Sequence, residues 1–194
     1  MLPFPSPDVV IAARAGDGSA RDQLMASSLP TVLAWCRRLG GPRVDPEDAA
    51  HDVLIVVLTR LPSLRQEERF GSWVFGITRR VLAKHRRRSW VKNWIGGEMP
   101  DIADATADPV RDTELSELAQ QVEGILGQLP PAQREVLVLC DVEERTDEAV
   151  AALLGVPVGT AKSRLRLARA KFRRLARGRA LAPQFVGLTT WGQG

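Results

Sequence analysis

The sequence predicts an all-α protein in which two small helical domains are joined by a flexible, acidic linker. Apolar residues recur at helical spacing along nearly the whole chain, and no convincing segment alternates apolar and polar residues as a strand does. The segment Gly96–Pro109 is rich in Gly, Pro, Ala and Asp, which is typical of a linker between two helical blocks. A chain of 194 residues, 44% hydrophobic and 26% charged, is long enough for two small domains.

We expect a first domain over residues 1–88, a linker over 89–112, a second domain over 113–179 and a tail over 180–194. The first domain should hold four helices, at about residues 7–15, 19–39, 46–62 and 70–88. The third has the clearest start, because Asp45 can cap it, Pro46 suits the first turn, and Glu47 and Asp48 lie at the positive end of the helix dipole.

The second domain should hold helices at about residues 113–126, 131–140 and 146–154, followed by a basic helix that begins near Thr160. A short helix, a turn that contains Gly155 and Pro157, and a basic helix together predict a helix-turn-helix, which binds DNA. The tail is uncharged, and we expect no fixed structure for it.

The charges of the last helix are unbalanced, because no Asp or Glu follows Glu148. A basic run is usually a solvated helix face, but here no acidic residue interleaves to form i,i+4 pairs. Lys162 and Arg164 also occupy the first two turns, where the helix dipole disfavours cations. These features favour DNA phosphates or guanine edges as the partner of a basic stripe that neighbours the apolar stripe. The stripe comprises Lys162, Arg166, Arg169, Arg173 and Arg177.

The helix predicted over residues 70–88 has a second basic face with aromatic residues close by. Arg80, Lys84, Arg87 and Arg88 share that face, and basic charge with interleaved aromatics suits single-stranded or partly melted nucleic acid. The alternative is that the aromatics belong to the core. For Phe75 the core is the better interpretation, whereas for Trp73 the two interpretations stay equally open.

A pair of carboxylates marks the helix predicted over residues 46–62. Asp48 and Asp52 stand at i and i+4, which places them on one face that suits a basic partner. Helix capping would explain Asp48 fully but Asp52 poorly. Cys36 and Cys140 lack metal-ligand spacing, so no zinc site and no cofactor is expected. Without a signal sequence or a long apolar run, we expect a soluble cytoplasmic protein with no membrane span.

These motifs together resemble the extracytoplasmic function (ECF) group of bacterial sigma factors. The resemblance rests on two pairs of segments and covers nearly the whole chain outside the linker and the tail. The looser pair is Pro46–Leu54 and Phe70–Arg80, and the more specific pair is Leu129–Leu137 and Leu154–Leu165. It implies that residues 1–88 form a region 2 domain, which binds the polymerase clamp and the −10 element. It also implies that residues 113–179 form a region 4 domain, which binds the −35 duplex and the polymerase flap.

The resemblance also implies roles for individual residues, for partners and for the linker. The partners would be core RNA polymerase, promoter DNA and an anti-sigma factor, and the linker would pass near the active-site cleft. Polymerase binding would fall to Asp48, His51 and Asp52, and −10 binding to Trp73, Arg80, Lys84 and Arg87. Contacts to the −35 element would fall to Thr160, Lys162, Ser163, Arg164, Arg166 and Arg169.

The chain departs from the family pattern at four places. Arg80 replaces the usual Asn, and an arginine favours phosphate or guanine over other base edges. His51 replaces the usual Gln at a clamp position. In the turn before the helix-turn-helix, the role of capping the next helix passes to Thr146. Leu167 stands where a basic residue is usual, so it would meet either a thymine methyl group or the core.

Three other functions compete with a sigma factor. A helix-turn-helix repressor or activator would bind duplex DNA alone and would need neither the Trp73 helix nor the acidic face. A nonspecific architectural protein would be more basic overall than a net charge of +4. An enzyme acting on nucleic acid would need a catalytic motif, and the sequence offers none, so we expect no enzymatic activity.

Overall fold

The computed structural model describes residues 4–95 and 115–178, with side chains described for residues 4–90 and 117–178. All regular secondary structure in these ranges is helical, which confirms the predicted all-α class. The chain divides into two compact units, which lie within residues 1–107 and 108–194. No helix in the described ranges is long and apolar enough to cross a membrane.

Within residues 4–95, the first unit holds four α-helices, which are α1 (Pro7–Ala15), α2 (Gly18–Gly40), α3 (Pro46–Arg60) and α4 (Phe70–Ile95). Helix α2 is central, because α1, α3 and α4 each contact it, and α3 also contacts α4. Two short 3₁₀ turns join α3 to α4.

Aromatic side chains fill the core of the first unit. The Trp35 ring from α2 lies 5.0 Å from the Phe75 ring of α4 and 5.5 Å from the Phe4 ring, measured between centroids. Phe4 also makes an edge contact with Phe70 at 5.7 Å. Since Trp35, Phe70 and Phe75 are all buried, the core interpretation of Phe75 is confirmed.

The start of α3 follows the predicted capping chemistry. The Asp45 carboxylate accepts a hydrogen bond from the Asp48 N–H at 2.8 Å, and Pro46 opens the first turn. Asp17 caps α2 in the same way, through the Ala20 N–H at 2.9 Å. Side-chain caps satisfy N–H groups that have no partner within the helix.

The predicted end of α4 at Arg88 is wrong, because the helix continues to Ile95. Residues 89–95 contain neither Gly nor Pro, and the first helix-breaking pair is Gly96–Gly97. The Ser89 hydroxyl also donates a hydrogen bond to the Arg43 carbonyl at 2.8 Å, which holds this turn against the loop before α3. The rest of the predicted linker, residues 96–112, and the predicted tail, residues 180–194, lie outside the described residues.

Within residues 115–178, the second unit consists of three shorter α-helices, a π-helical turn and a long final α-helix. Its helices are α5 (Leu115–Leu126), α6 (Pro131–Leu137), α7 (Asp147–Leu154) and α8 (Val158–Gly178). The α-helix predicted up to Cys140 instead ends at Leu137 and continues as a π-helical turn, Val138–Val142. Since such a turn widens the hydrogen-bonded ring by one residue, a regular helical period does not reveal it in the sequence.

Helices α7 and α8 form the predicted helix-turn-helix, and the ends of α7 are well defined. The Thr146 hydroxyl accepts a hydrogen bond from the Ala149 N–H at 3.2 Å, which confirms Thr146 as the cap of α7. Gly155 ends α7 with φ of 68°, a left-handed conformation that favours glycine. Helix α8 then packs against α6 and α7, and also against α5.

A buried arginine holds the loop between α5 and α6. The Arg134 guanidinium donates hydrogen bonds to the carbonyls of Gly127 at 2.7 Å and Leu129 at 3.0 Å. Its side chain is buried, so these carbonyls compensate for much of the desolvation of the charge. Arg134 therefore has a structural role within the Leu129–Leu137 motif.

Candidate nucleic-acid and partner interfaces

Helix α8 separates an apolar face from a polar face, as the sequence predicts. Ala161, Leu165 and Ala168 are buried, and Phe172 and Leu175 pack partly buried against Ile125 of α5. On the other side of the helix, Lys162, Ser163 and Arg166 are exposed, whereas Thr160 and Arg164 are half-buried. The structure therefore leaves the three exposed side chains accessible to a ligand of the second unit.

Arg169 differs from the other predicted DNA-binding residues of α8. Its Nε and Nη2 atoms donate to the two carboxylate oxygens of Asp141, at 3.0 and 2.6 Å. Hydrogen bonding to Asp141 raises the pKa of the Arg169 guanidinium above its usual value. Asp141 lies 28 residues from Arg169, in the π-helical turn, so no local spacing in the sequence indicates this pair. The Arg169 guanidinium is thus held by a bidentate ion pair within the second unit.

The basic face of α4 combines one aromatic ring with exposed cations. Trp73, Arg80, Lys84 and Arg87 are spaced by seven, four and three residues, so they lie on one face of a 3.6-residue helix. The three cations are exposed, and Trp73 is half-buried with its ring 6.1 Å from that of Phe70. The neighbouring apolar face, formed by Val74, Ile77 and Val81, is buried as predicted.

Two arginines of α4 have contacts that set their positions. The Arg80 Nε atom donates to the Gly76 carbonyl at 2.9 Å, one turn earlier on the same exposed face. Arg86 instead donates from Nη1 to the Leu39 carbonyl at 3.1 Å, near the end of α2. Arg80 therefore stays on the exposed face, whereas Arg86 contributes to the packing of α4 against α2.

The acidic face of α3 lies next to a histidine of α4. The Asp48 side chain is 71% exposed and that of Asp52 is 43% exposed, so both carboxylates are accessible. His85 is only 12% exposed, and its Nε2 atom lies 2.9 Å from Asp52 Oδ2. Its Nδ1 atom lies 4.0 Å from Asp48 Oδ2. The structure therefore brings together two predicted partner-binding residues, Asp48 and Asp52, and His85, for which the sequence pattern indicated no role.

An exposed apolar edge continues the acidic face along α3. His51, Ile55 and Leu58 stand at i, i+4 and i+7, and all three side chains are exposed. Exposed apolar side chains next to charged ones are common at protein-binding sites. We call this set, together with Asp48 and Asp52, the α3 surface.

The cysteines of the two units are buried, and their thiols are hard to ionise in the folded protein. Burial, and to a smaller extent the Glu47 carboxylate, raises the pKa of the Cys36 thiol to about 12. Burial also raises the pKa of the Cys140 thiol to about 12, and Asp147 and Asp141 add to the effect. Among the residues that the structure describes, no group of three or more His, Cys, Asp or Glu side chains could hold a metal ion.

Comparison with known proteins agrees with the geometry of both units. Residues 24–91 match the model of the Sigma-70 region 2 family, and residues 119–172 match that of Sigma-70, region 4. The chain is 33% identical to the ECF RNA polymerase sigma factor ShbA of Streptomyces griseus subsp. griseus, over 91% of this chain and 94% of the relative. It is 31% identical to the RNA polymerase sigma factor NccH of Alcaligenes xylosoxydans xylosoxydans, over 86% of this chain and 93% of the relative.

Two solved structures share the fold. One is CnrH in complex with the cytosolic domain of CnrY, which matches with a TM-score of 0.60 and 23% identity over 89% of this chain and 97% of CnrH. The other is the sigma factor RpoE in complex with the anti-sigma factor NepR from Bartonella quintana. It matches with a TM-score of 0.62 and 24% identity over 80% of this chain and 96% of RpoE.

Proposed function

The chain belongs to the ECF group of RNA polymerase sigma factors, and we propose that it performs this role through three surfaces, on α3, α4 and α8. A sigma factor binds core RNA polymerase and directs it to promoters through −10 and −35 recognition. It is a non-catalytic subunit and acts in the cytoplasm, where the polymerase transcribes. The first unit would serve as the region 2 domain and the second unit as the region 4 domain.

The α3 surface is the proposed contact with the polymerase clamp. Asp48 and Asp52 offer two accessible carboxylates, and His51 lies one turn from the exposed apolar residues Ile55 and Leu58. An acidic rim beside an apolar strip suits a partner with basic and apolar residues. His85 would hold the Asp52 carboxylate in place, because its imidazole is nearly buried beside it.

The basic face of α4 is the proposed contact with the melted −10 strand. Trp73 supplies a ring on which an unpaired base can stack, and Arg80, Lys84 and Arg87 follow on the same face to meet phosphates. The half-buried position of Trp73 supports this role, because one part of the ring packs on Phe70 while another stays accessible.

The exposed face of α8 is the proposed contact with the −35 duplex. A recognition helix places its N-terminal residues against base edges in the major groove, and Thr160, Lys162, Ser163, Arg164 and Arg166 occupy the first turns of α8. Arg169 was predicted as a sixth contact, and its bidentate pair with Asp141 supports a positioning role instead.

One observation carries the proposal most strongly. The acidic α3 surface and the aromatic and basic face of α4 occur together in one unit, apart from the helix-turn-helix. A repressor that binds only duplex DNA needs neither surface, whereas a sigma factor needs both.

Co-elution of the purified chain with core RNA polymerase on a sizing column tests the proposal. We expect a stoichiometric complex with the wild type, and a weaker complex with the D48A/D52A double variant. The D22A/E68A double variant is the matched control, because it removes two exposed carboxylates of the first unit that lie outside the α3 surface. Its complex should resemble that of the wild type.

Either of two results would contradict the proposal. Absence of a complex, with duplex DNA still bound, would favour the helix-turn-helix regulator. Equal weakening by both double variants would remove the α3 surface from the clamp contact. Because D48A/D52A also removes the partners of His85, its thermal unfolding is measured in parallel to exclude a folding defect.

We further propose that an anti-sigma factor regulates this chain by covering its polymerase-binding surfaces. The α3 surface supports this, since its exposed apolar edge suits a protein partner. Both solved relatives of the same fold were captured with a partner protein, and for RpoE the partner is an anti-sigma factor. Copurification from native cells should recover an inhibitory protein that competes with core polymerase, and recovery of the chain without one would count against the proposal.

A further inference from the structure

Leu167 is an exposed leucine in the middle of a helix that otherwise presents charged and small residues to solvent. Its side chain is 48% exposed, although the structure offers a buried apolar face on the same helix. That face is occupied by Ala161, Leu165, Ala168 and Ala176. Of the two places that the sequence left open for Leu167, the core is therefore excluded.

The neighbours of Leu167 show that it belongs to an uncharged strip. At 3.6 residues per turn, the side of α8 opposite the buried face carries Gly159, Ser163, Leu167 and Ala170, and all four are exposed. The uncharged strip ends there, because the exposed Arg174 follows on the same side. Cations border this strip on both sides. Lys162, Arg166 and Arg173 lie along one border, and Arg164 and Lys171 lie along the other.

The strip and its borders match the cross-section of a major groove. The groove is bounded by two phosphate backbones, which cations contact without regard to sequence, and its floor presents base edges. Small residues such as Gly159 and Ser163 let the helix approach that floor closely. Leu167, the largest uncharged side chain of the strip, would then extend furthest toward the bases.

Among the groups on base edges in the major groove, the C5 methyl of thymine is the apolar one. We propose that Leu167 is a specificity-determining residue that packs against a thymine methyl group in the −35 element. The inference rests on the proposed function, because it needs α8 to bind the −35 duplex. It predicts a T·A pair in the preferred −35 sequence, together with a measurable contribution from one methyl group.

The experiment uses the polymerase assembled with the full chain. A promoter library with a randomised −35 segment is first selected with the wild-type holoenzyme, which defines the preferred duplex. Each thymine of that segment is then replaced in turn by deoxyuridine, which lacks only the methyl group. Binding of every duplex is measured with the wild type and with L167A, a variant that keeps good helix propensity at an exposed position.

We expect about a fourfold loss of wild-type affinity at one thymine, as for removal of one buried methyl-sized group. L167A should bind the thymine and deoxyuridine duplexes equally at that position. It should keep the wild-type response to salt, because the substitution removes no charge. A second variant, L167R, should shift the selected base at the same position from thymine toward guanine, which arginine contacts through two acceptors.

The outcomes separate this inference from the proposed function. A holoenzyme that selects no −35 sequence would overturn the proposed function and the Leu167 contact with it. The holoenzyme could instead select a −35 sequence, while the wild type and L167A lose the same affinity on deoxyuridine substitution at every position. That result would overturn the Leu167 contact alone. Selection of a −35 sequence without any T·A pair would have the same meaning.

Discussion

Helices α4 and α8 are both basic, yet they differ in what surrounds their charges. In α4 a tryptophan shares the exposed face with three cations, and the neighbouring His85 and Arg86 contact α3 and α2. In α8 the exposed cations border an uncharged strip, and Arg169 is held by Asp141 of the same unit. Similar charge thus accompanies two different geometries, one with a ring for stacking and one with a strip that fits a groove.

Basic charge alone therefore does not identify the nucleic acid that a helix binds. Phosphates attract both helices, but unpaired bases need an aromatic surface, whereas paired bases present only their edges. The cores of the two units also differ. Trp35, Phe70 and Phe75 fill the first, whereas aliphatic residues, with a partly buried Phe172, pack beneath α8 in the second.

The largest expected effect comes from the aromatic core of the first unit. Trp35→Ala removes a fully buried ring between α2 and α4, so it should lower the free energy of unfolding of that unit by about 3–5 kcal/mol. Thiol alkylation at pH 8 measures the effect in each unit, because Cys36 and Cys140 lie in different units. Both thiols have a pKa of about 12 in the folded protein, so they are protonated at pH 8 and react only after opening.

Alkylation of Cys36 should accelerate strongly in the Trp35→Ala variant, and alkylation of Cys140 should keep its wild-type rate. Trp90→Ala is the matched control, because Trp90 is 59% exposed and its removal leaves the core intact. Equal acceleration at both cysteines would show that the second unit depends on the first. The comparison between two separate cores would then fail.

A smaller effect is expected from the ring on the basic face of α4. Trp73→Ala should weaken holoenzyme binding to a single-stranded −10 segment by about 1–3 kcal/mol, the usual contribution of one stacked base. Binding of the −35 duplex should be unchanged. Because the lost ring is uncharged, the salt dependence of −10 binding should also stay the same.

Trp73→Phe is the control for this substitution, since it keeps a ring and should recover most of the affinity. The Cys36 alkylation rate shows whether loss of the contact with Phe70 has loosened the first unit. Unchanged single-strand binding by Trp73→Ala, in a variant that is still folded, would assign Trp73 to the core and remove the main difference between α4 and α8.

The sequence predicted what depends on neighbouring residues and missed what depends on distant ones. The caps at Asp45 and Thr146 follow from chemistry within one helical turn, and both are confirmed. The contact of His85 with Asp52 joins residues 33 positions apart, and no local spacing indicates it. The π-helical turn that places Asp141 beside Arg169 likewise follows from packing and not from a helical period. The roles of the individual interface residues stay predictions.

The smallest expected effects separate two arginines that are three residues apart on α8. Arg166 is exposed, so Arg166→Ala should lower the magnitude of the salt slope of −35 binding by about 0.9, as for one lost phosphate contact. Its free energy of unfolding should stay within about 0.5 kcal/mol of the wild type. Arg169→Ala should instead lower the free energy of unfolding by about 1–2 kcal/mol, because it breaks a bidentate, partly exposed ion pair.

A double-mutant cycle of Arg169→Ala with Asp141→Ala assigns that loss to the pair itself. The coupling energy should account for most of the effect of either single substitution, and the salt slope should keep its wild-type value in Arg169→Ala. If that variant instead lowered the slope as Arg166→Ala does, Arg169 would exchange Asp141 for a phosphate on binding. The ion pair with Asp141 would then hold Arg169 in position in the free protein. Arg169 would join the cations that border the uncharged strip.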